Sequence, residues 1–142
     1  MANEATVRSS LTIRSGNTNY RTQNEQFNAD VTTPILGPTP GALSVTTSGL
    51  VVSFSQLVCP GLCRIQNLSS TYVLEAGIKV TATGKFHPLL ELLPGESYVI
   101  RFSRNLLSEE DVPGTGTTGD INSFFLRTVG GSGYALVEAF EK

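Results

Sequence analysis

Two cysteines and a single histidine are the residues of this chain best suited to chemistry. Cys59 and Cys63 are separated by Pro60-Gly61-Leu62, and His87 is the only histidine. A structural zinc site needs four ligands, and a redox pair normally has a two-residue spacer beside a βαβ unit. Neither requirement is met. Because no metal or redox geometry can be built around them, both cysteines are predicted to be dispensable for function. Cys63 falls in one strand register with Ile65 and is predicted to be a packed core residue.

The other candidates for chemistry are acidic and glycine-rich segments. Glu109-Glu110-Asp111 precedes a loop, Val112 to Asp120, whose centre reads PGTGTTG. The acidic spacing fits no EF-hand loop, and the glycines lack the lysine and following helix of a phosphate loop. His87 lies in the polar register of its strand, and no nucleophile motif accompanies it. We therefore predict no catalytic residue, no metal site and no cofactor, which argues against an enzyme.

Composition excludes several partner classes. The chain has 142 residues, a net charge of −2 and only 15% charged residues. One domain is expected at this length, and a dedicated nucleic-acid binder would carry a basic face. No apolar run reaches the roughly 20 residues of a membrane span, and MANEATVRSS has no apolar core of a secretory signal. We expect synthesis in a cytosol, without nucleic-acid or membrane partners.

The clearest structural signal is Phe86 to Phe102, which reads FHPLLELLPGESYVIRF. Pro94 and Gly95 occupy the two central positions of a predicted type II turn. Apolar residues alternate with polar ones on both sides of this turn, as in half-buried strands. The sequence therefore predicts a central β-hairpin. The residues predicted to be buried in this hairpin and the preceding strand are Leu74, Ile78, Tyr98, Ile100 and Phe102.

Further short strands are predicted through the rest of the chain, with no long helix. Their approximate ranges are 42–46, 50–57, 62–68, 72–80, 123–129 and 134–140. Gly77 is a candidate β-bulge, Asn67 to Ser70 a turn, and Asn105 to Asp111 a single helical turn. In the last two strands Phe124 with Leu126, and Tyr134 with Leu136 and Phe140, are predicted to face inwards. Many short strands with turns between them indicate an all-β protein, an antiparallel β-sandwich of jelly-roll type.

The first 41 residues differ from the body at residues 42–142. They are polar and end in a segment with three prolines, Thr33 to Gly41, which is typical of an extended connector. Isolated apolar residues recur along them, and four are predicted to lie in a subunit interface: Tyr20, Phe27, Ile35 and Leu36. This predicted N-terminal arm either pairs with its own body or is ordered on another subunit. The two alternatives are nearly even, and we hypothesise that the body folds without the arm, which fastens it to a like or unlike subunit.

Several stretches of the chain resemble a group of small virion proteins of tailed bacteriophages. These stretches are NADVTTPILGPTPGALSV, LVCPGLCRIQNLSSTYV, FHPLLELLPGESYVIRFSRNL and ALVEAFEK. In that group an Asn-x-Ser or Asn-x-Asp turn, a Pro-Gly-Glu hairpin and a terminal strand ending in Glu recur in this order. The resemblance implies a β-sandwich that acts by assembly: a capsid-associated, minor capsid or decoration, neck (connector) or tail component. It implies a homo-oligomer that binds other virion proteins, located in the virion after synthesis in the bacterial cytoplasm.

Two other functional classes compete with the virion protein. A carbohydrate-binding module is the main alternative, because β-sandwiches often bind sugars. Against it, the chain has no Trp and only four Tyr, and Tyr72, Tyr98 and Tyr134 fall in predicted core registers. An enzyme comes third, since no acid–base or nucleophile constellation is visible.

Overall fold

The computed structural model describes residues 5–29, 37–54, 57, 60–80, 83–103 and 122–141, and this part of the chain is all β. Its twelve strands, in chain order, are β1 (Ala5–Ser9), β2 (Thr12–Ser15), β3 (Thr18–Arg21), β4 (Glu25–Ala29), β5 (Thr39–Val45), β6 (Leu50–Val51), β7 (Pro60–Asn67), β8 (Val73–Val80), β9 (Phe86–Leu92), β10 (Ser97–Arg101), β11 (Asn122–Val129) and β12 (Gly133–Glu141). No helix occurs among the described residues, hence none that is long and apolar enough to span a membrane.

Strands β5 to β12 form two four-stranded antiparallel sheets. Sheet I has the order β10-β7-β12-β5, and sheet II has the order β6-β11-β8-β9. The strands pair as one long folded-over hairpin: β5 with β12, β6 with β11, β7 with β10, and β8 with β9. Eight strands wound in this way across two sheets are a jelly roll. The predicted all-β, jelly-roll sandwich is therefore confirmed.

The core lies between the two sheets and includes residues of both. Three rings form its aromatic centre: Phe102 lies 5.6 Å from Phe54 and 5.0 Å from Phe124, measured between ring centroids. The fully buried aliphatic side chains include Ile65 of sheet I and Leu74 of sheet II. The predicted burial of Leu74 and Phe102, and of Phe124 with Leu126, is confirmed. Ile78 and Ile100 are only half-buried.

The predicted turn at Pro94-Gly95 is present, but the predicted central hairpin is wrong. The Glu96 amide donates to the Leu93 carbonyl over 3.0 Å, and Gly95 has φ of +82°. However, β9 belongs to sheet II and β10 to sheet I. Two-residue hairpins favour the mirror-image turn types, because turns of types I and II splay the strands that they join. Here the turn connects the two sheets at a corner.

Asn67, the last residue of β7, fastens this corner. Its side chain is fully buried, and its Nδ2 donates to the carbonyls of Tyr72 and Leu92 over 2.8 and 3.0 Å. Its Oδ1 accepts from the Ser69 amide over 2.9 Å, which makes the predicted turn after Asn67 an Asx turn. The Asn67 carbonyl accepts from Gly95. One residue of sheet I therefore holds the end of β9, in sheet II, and the turn that follows it.

One predicted register and one predicted burial need correction. In β12 the buried side chains are Ala135, Val137 and Ala139, whereas Tyr134 is 60% exposed. The predicted inward face of this strand is its outer face. Tyr98 does lie on the inner face of its strand, because it pairs with the buried Ile65, yet it is 45% exposed. The reason is that β10 is the outermost strand of sheet I.

Several further predictions concern the bounds and the regularity of individual segments. The strand pairing of β8 with β9 shifts register between Ala76 and Gly77, so the predicted bulge is confirmed. The strand expected over 50–57 is reduced to the two residues of β6, although Val52 and Phe54 beyond it are buried. In the proline-rich segment, Thr39–Gly41 belongs to β5, which begins three residues before the predicted body. The segment 105–120, with its predicted helical turn and loop, lies outside the described residues.

Candidate interaction surface

Strands β1 to β4 form a separate antiparallel ribbon. β1 pairs with β4, and β2 pairs with β3 around the turn at Gly16-Asn17. Between the two ladders, the Thr22 amide donates to the Leu11 carbonyl over 2.9 Å, so the strands stay together. The predicted extended N-terminal arm is therefore a paired ribbon over residues 5–29. None of its strands pairs with a described strand of the jelly roll.

The ribbon is amphipathic in both of its ladders. In an antiparallel pair, residues directly opposite each other point to the same face. Phe27 is opposite Val7, and Tyr20 is opposite Ile13, so each ladder has one apolar face. The exposed fractions of its large apolar side chains are 52% for Leu11, 45% for Ile13, 53% for Tyr20 and 49% for Phe27. An isolated two-stranded ribbon is only marginally stable, and burying these apolar side chains against a partner would stabilise it.

The opposite face of the first ladder is polar and internally bonded. The Thr6 hydroxyl donates to Asn28 Oδ1 over 3.1 Å, and Arg8 Nε donates to Gln26 Oε1 over 3.0 Å. These cross-strand pairs fix the register of the ladder, and the alternation of a strand then directs Val7 and Phe27 to the other face. The first ladder thus has one face satisfied by its own hydrogen bonds and one apolar face, on which Phe27 is half exposed and Ala29 is already buried.

Of the four predicted interface residues, the structure describes two. Tyr20 lies on β3 and Phe27 on β4, and both are half exposed, as an interface on the ribbon requires. They belong to different ladders, so they do not form one side-chain pair. Ile35 and Leu36 lie outside the described residues.

The residues considered for chemistry, by contrast, do not come together in the described part of the chain. Cys63 is buried in the sandwich core, and this burial, with a smaller contribution from the Glu138 carboxylate, raises the pKa of its thiol to about 12. The predicted packing role of Cys63 is confirmed, whereas Cys59 lies outside the described residues. His87 is exposed on β9 and stands opposite Ile78. No group of three or more His, Cys, Asp or Glu that could hold a metal ion occurs in the described ranges.

The outer faces of the two sheets carry ion pairs. On sheet I, Arg64 Nη1 contacts Glu138 Oε2 at 2.8 Å, and its Nη2 donates to Gln66. On sheet II, Arg127 Nε donates to Glu75 over 2.9 Å, while its guanidinium lies 5.0 Å from the Phe86 ring centroid. Both arginines are part-exposed, so these pairs contribute little to stability. They fix side chains across neighbouring strands without forming a basic face.

Sequence reasoning missed the buried amide of Asn67 and the exposure of Tyr134. The Asn-Leu-Ser turn signal was visible, but nothing in it showed that the asparagine would be buried. For Tyr134 a signal existed, because Ala135, Val137 and Ala139 alternate as regularly as the larger residues beside them.

Comparison of the chain with protein families, characterised proteins and solved structures finds no match.

Proposed function

We propose that this chain is a non-enzymatic structural component of a tailed-bacteriophage virion that binds neighbouring capsid, neck or tail subunits through its ribbon. The observation that carries the proposal is the apolar face of the ribbon, with Tyr20 and Phe27 half exposed. Aromatic side chains are enriched among the residues that dominate interface energies. Jelly rolls also occur among viral capsid proteins, which is an analogy at the level of fold only.

The test is the double variant Tyr20→Ala/Phe27→Ala. Both side chains are half exposed, so the variant should unfold at nearly the same denaturant concentration as the unchanged chain. Its copy number in purified particles, measured by quantitative mass spectrometry, should fall at least about tenfold if each truncation removes roughly 1–2 kcal/mol of binding. The matched control is Thr6→Ala/Asn28→Ala on the polar face of the ribbon. Normal incorporation of the Tyr20/Phe27 variant would contradict the proposal.

A carbohydrate-binding module is the second candidate. The exposure of Tyr98 and Tyr134 removes one objection to it, because both tyrosines were predicted to lie in the core. They nevertheless lie on opposite faces of sheet I, since Tyr98 shares a face with Ile65 and Tyr134 shares one with Ser44 on the outer side. They therefore do not provide one stacking platform for a sugar. Glycan-array binding separates the two functions, because the virion role predicts particle incorporation without glycan binding.

A further inference from the structure

Four strand edges end the two sheets of the jelly roll, and three of them carry features that obstruct further pairing. β9 contains Pro88 and is bulged against β8, β5 contains Pro40, and β6 is only two residues long. Proline, bulges and short length are the usual means by which edge strands avoid joining other chains. β10 has none of these. Its five residues pair with β7 in unbroken register.

The hydrogen-bonding groups on the open edge of β10 can be assigned from the pairing. The Asn67 amide donates to Glu96, and the Phe102 amide donates to Gly61, so even-numbered residues bond towards β7. Backbone groups alternate in direction along an antiparallel strand. The amide and carbonyl groups of Ser97, Val99 and Arg101 therefore point away from sheet I.

The side chains of β10 are also open to a partner. Tyr98 is 45% exposed on the inner face, Val99 is 49% exposed on the outer face, and Ile100 is half-buried. The strand has a single charged residue, Arg101, at one end. An exposed apolar edge strand without inward charges is a template for pairing with another strand.

We propose that two copies of this chain join through β10, antiparallel and with Val99 opposite Val99 of the second copy. This register places Ser97 opposite Arg101 of the second copy and Arg101 opposite its Ser97. The three outward-pointing residues of each strand then face one another, which gives about six backbone hydrogen bonds in three doubly bonded pairs. A register shifted by one residue would oppose outward and inward groups and lose these bonds.

The same register continues sheet I, with the inner and outer faces of the two copies in line. Tyr98 stands opposite Ile100 of the second copy on the inner face, so two incompletely buried apolar side chains cover each other. Arg101 is opposite an uncharged serine, so no like charges meet across the new ladder. Sheet I thereby becomes one sheet of eight strands across the two-fold axis, with β10 no longer at its edge. This contact does not involve the ribbon.

The two-fold position of Val99 supplies a sharp test. Val99→Lys places two ammonium groups opposite each other in the dimer, whereas in the single chain this side chain is half exposed. Sedimentation should show the unchanged chain as a dimer in the micromolar range. The substitution should raise the dissociation constant of this dimer at least about 30-fold. Val129→Lys is the matched control, because Val129 is equally exposed, at 49%, and lies on sheet II. It should remain dimeric.

Mixing complementary variants distinguishes a specific loss of dimerisation from a folding defect. Val99→Lys and Val99→Asp should each be largely monomeric, and an equimolar mixture should recover dimers, since opposite charges then meet at the axis. A monomeric unchanged chain at about 1 mM, or a dimer that Val99→Lys leaves intact, overturns the proposal.

A crosslink tests the register itself. Residues opposite each other in a doubly bonded pair have Cα atoms about 5.5 Å apart, with Cβ atoms slightly too far apart for an unstrained disulfide but within reach of a short bifunctional thiol reagent. Val99→Cys in a Cys59→Ser background should form a covalent dimer with such a reagent, whereas Val129→Cys in that background should not. Equal crosslinking of both variants would contradict the register. Because the ribbon variant Tyr20→Ala/Phe27→Ala leaves β10 unchanged, it should dimerise normally whether or not it enters particles.

Discussion

At the scale of single residues, Asn67 makes more hydrogen bonds that hold the fold together than any residue considered for chemistry in the sequence. Its side-chain amide reaches the carbonyls that end β9 and precede β8, and its own backbone bonds the Gly95 turn. These partners are carbonyl groups in a region closed to water, where an unpaired polar group costs about 1–3 kcal/mol. The amide therefore serves the fold.

We expect Asn67→Ala to destabilise the protein by about 2–4 kcal/mol, because it removes one side-chain acceptor and leaves two carbonyls without their donor. Urea denaturation followed by circular dichroism measures this loss. Leu68→Ala is the neighbouring control, since Leu68 is exposed, and it should change stability by less than about 1 kcal/mol. Equal effects of the two substitutions would show that the amide bonds contribute nothing.

Cys63 gives the protein a pH dependence with a definite sign. Burial raises the pKa of its thiol from 9.0 to about 12, so the unfolded chain ionises first as the pH rises. The contribution of the neutral thiol is complete below pH 9 and is lost progressively between pH 9 and pH 12. The urea midpoint should therefore fall less steeply above pH 9 in Cys63→Ala than in the unchanged chain. Parallel curves would contradict the shift.

At the scale of elements, the alternation of apolar and polar residues predicted the strands well. The size of the apolar residues, however, led to the wrong choice of inward face in β12. In β7 the large Ile65 is buried, and in β8 Leu74 is buried on the predicted face with Ile78 half-buried beside it, so both faces were predicted correctly. In β12 the larger apolar residues are not the buried ones. Its inward side chains are Ala and Val, which share one core with the rings of Phe54, Phe102 and Phe124. Because cores are closely packed, those rings leave room only for small side chains beside them. The sequence of β12 alone does not show that these rings are its neighbours.

The turn at Gly95 shows a second limit of sequence reasoning. Its residues specify the local conformation, and that conformation is present. Which strands pair afterwards depends on partners far along the chain, since β9 bonds β8 and β10 bonds β7. The ribbon face was anticipated from Tyr20 and Phe27, whereas the pairing of residues 5–29 with one another was not.

Two glycines of these elements should respond very differently to alanine. A Cβ at Gly77 would fall on the His87 carbonyl oxygen at the bulge, where the backbone cannot yield, so Gly77→Ala should cost about 3 kcal/mol or more. At Gly95 a Cβ meets nothing within 4 Å. Only its positive φ resists the substitution, which should cost about 1 kcal/mol. Denaturant midpoints of the two variants measure the difference, and the reverse order would rule out the described bulge.

At the scale of the whole molecule, the described strands fall into a self-paired ribbon and a jelly roll with its own core. Among the described strands, those of the ribbon pair only with one another, and the jelly roll's core cluster begins at Val45 in chain order. Gly37 nevertheless belongs with the jelly roll, since a Cβ there would contact the ring of Phe140. The described residues therefore divide into the ribbon at 5–29 and the jelly roll from residue 37 onwards.

We expect the chain truncated to residues 37–142 to fold, with an unfolding free energy within about 1 kcal/mol of the full chain. The ribbon shares no strand pairing with the sheets, so its loss removes no ladder from them. Thermal and urea unfolding of the truncated chain test this expectation. A start at residue 42 is the comparison, because it deletes Thr39–Gly41 from β5 and should be clearly less stable. An unfolded 37–142 chain would mean that the ribbon is part of the sandwich.

The nested pairing of the jelly roll has a consequence for synthesis on the ribosome. β12, the last strand in chain order, lies between β7 and β5 in the middle of sheet I. Until residues 133–141 have been translated and released from the exit tunnel, β5 has no neighbour and the sheet remains split. Pairings between distant segments also close slowly. A nascent chain of this protein therefore stays open to chaperones and proteases until residues 133–141 emerge and join β7 to β5.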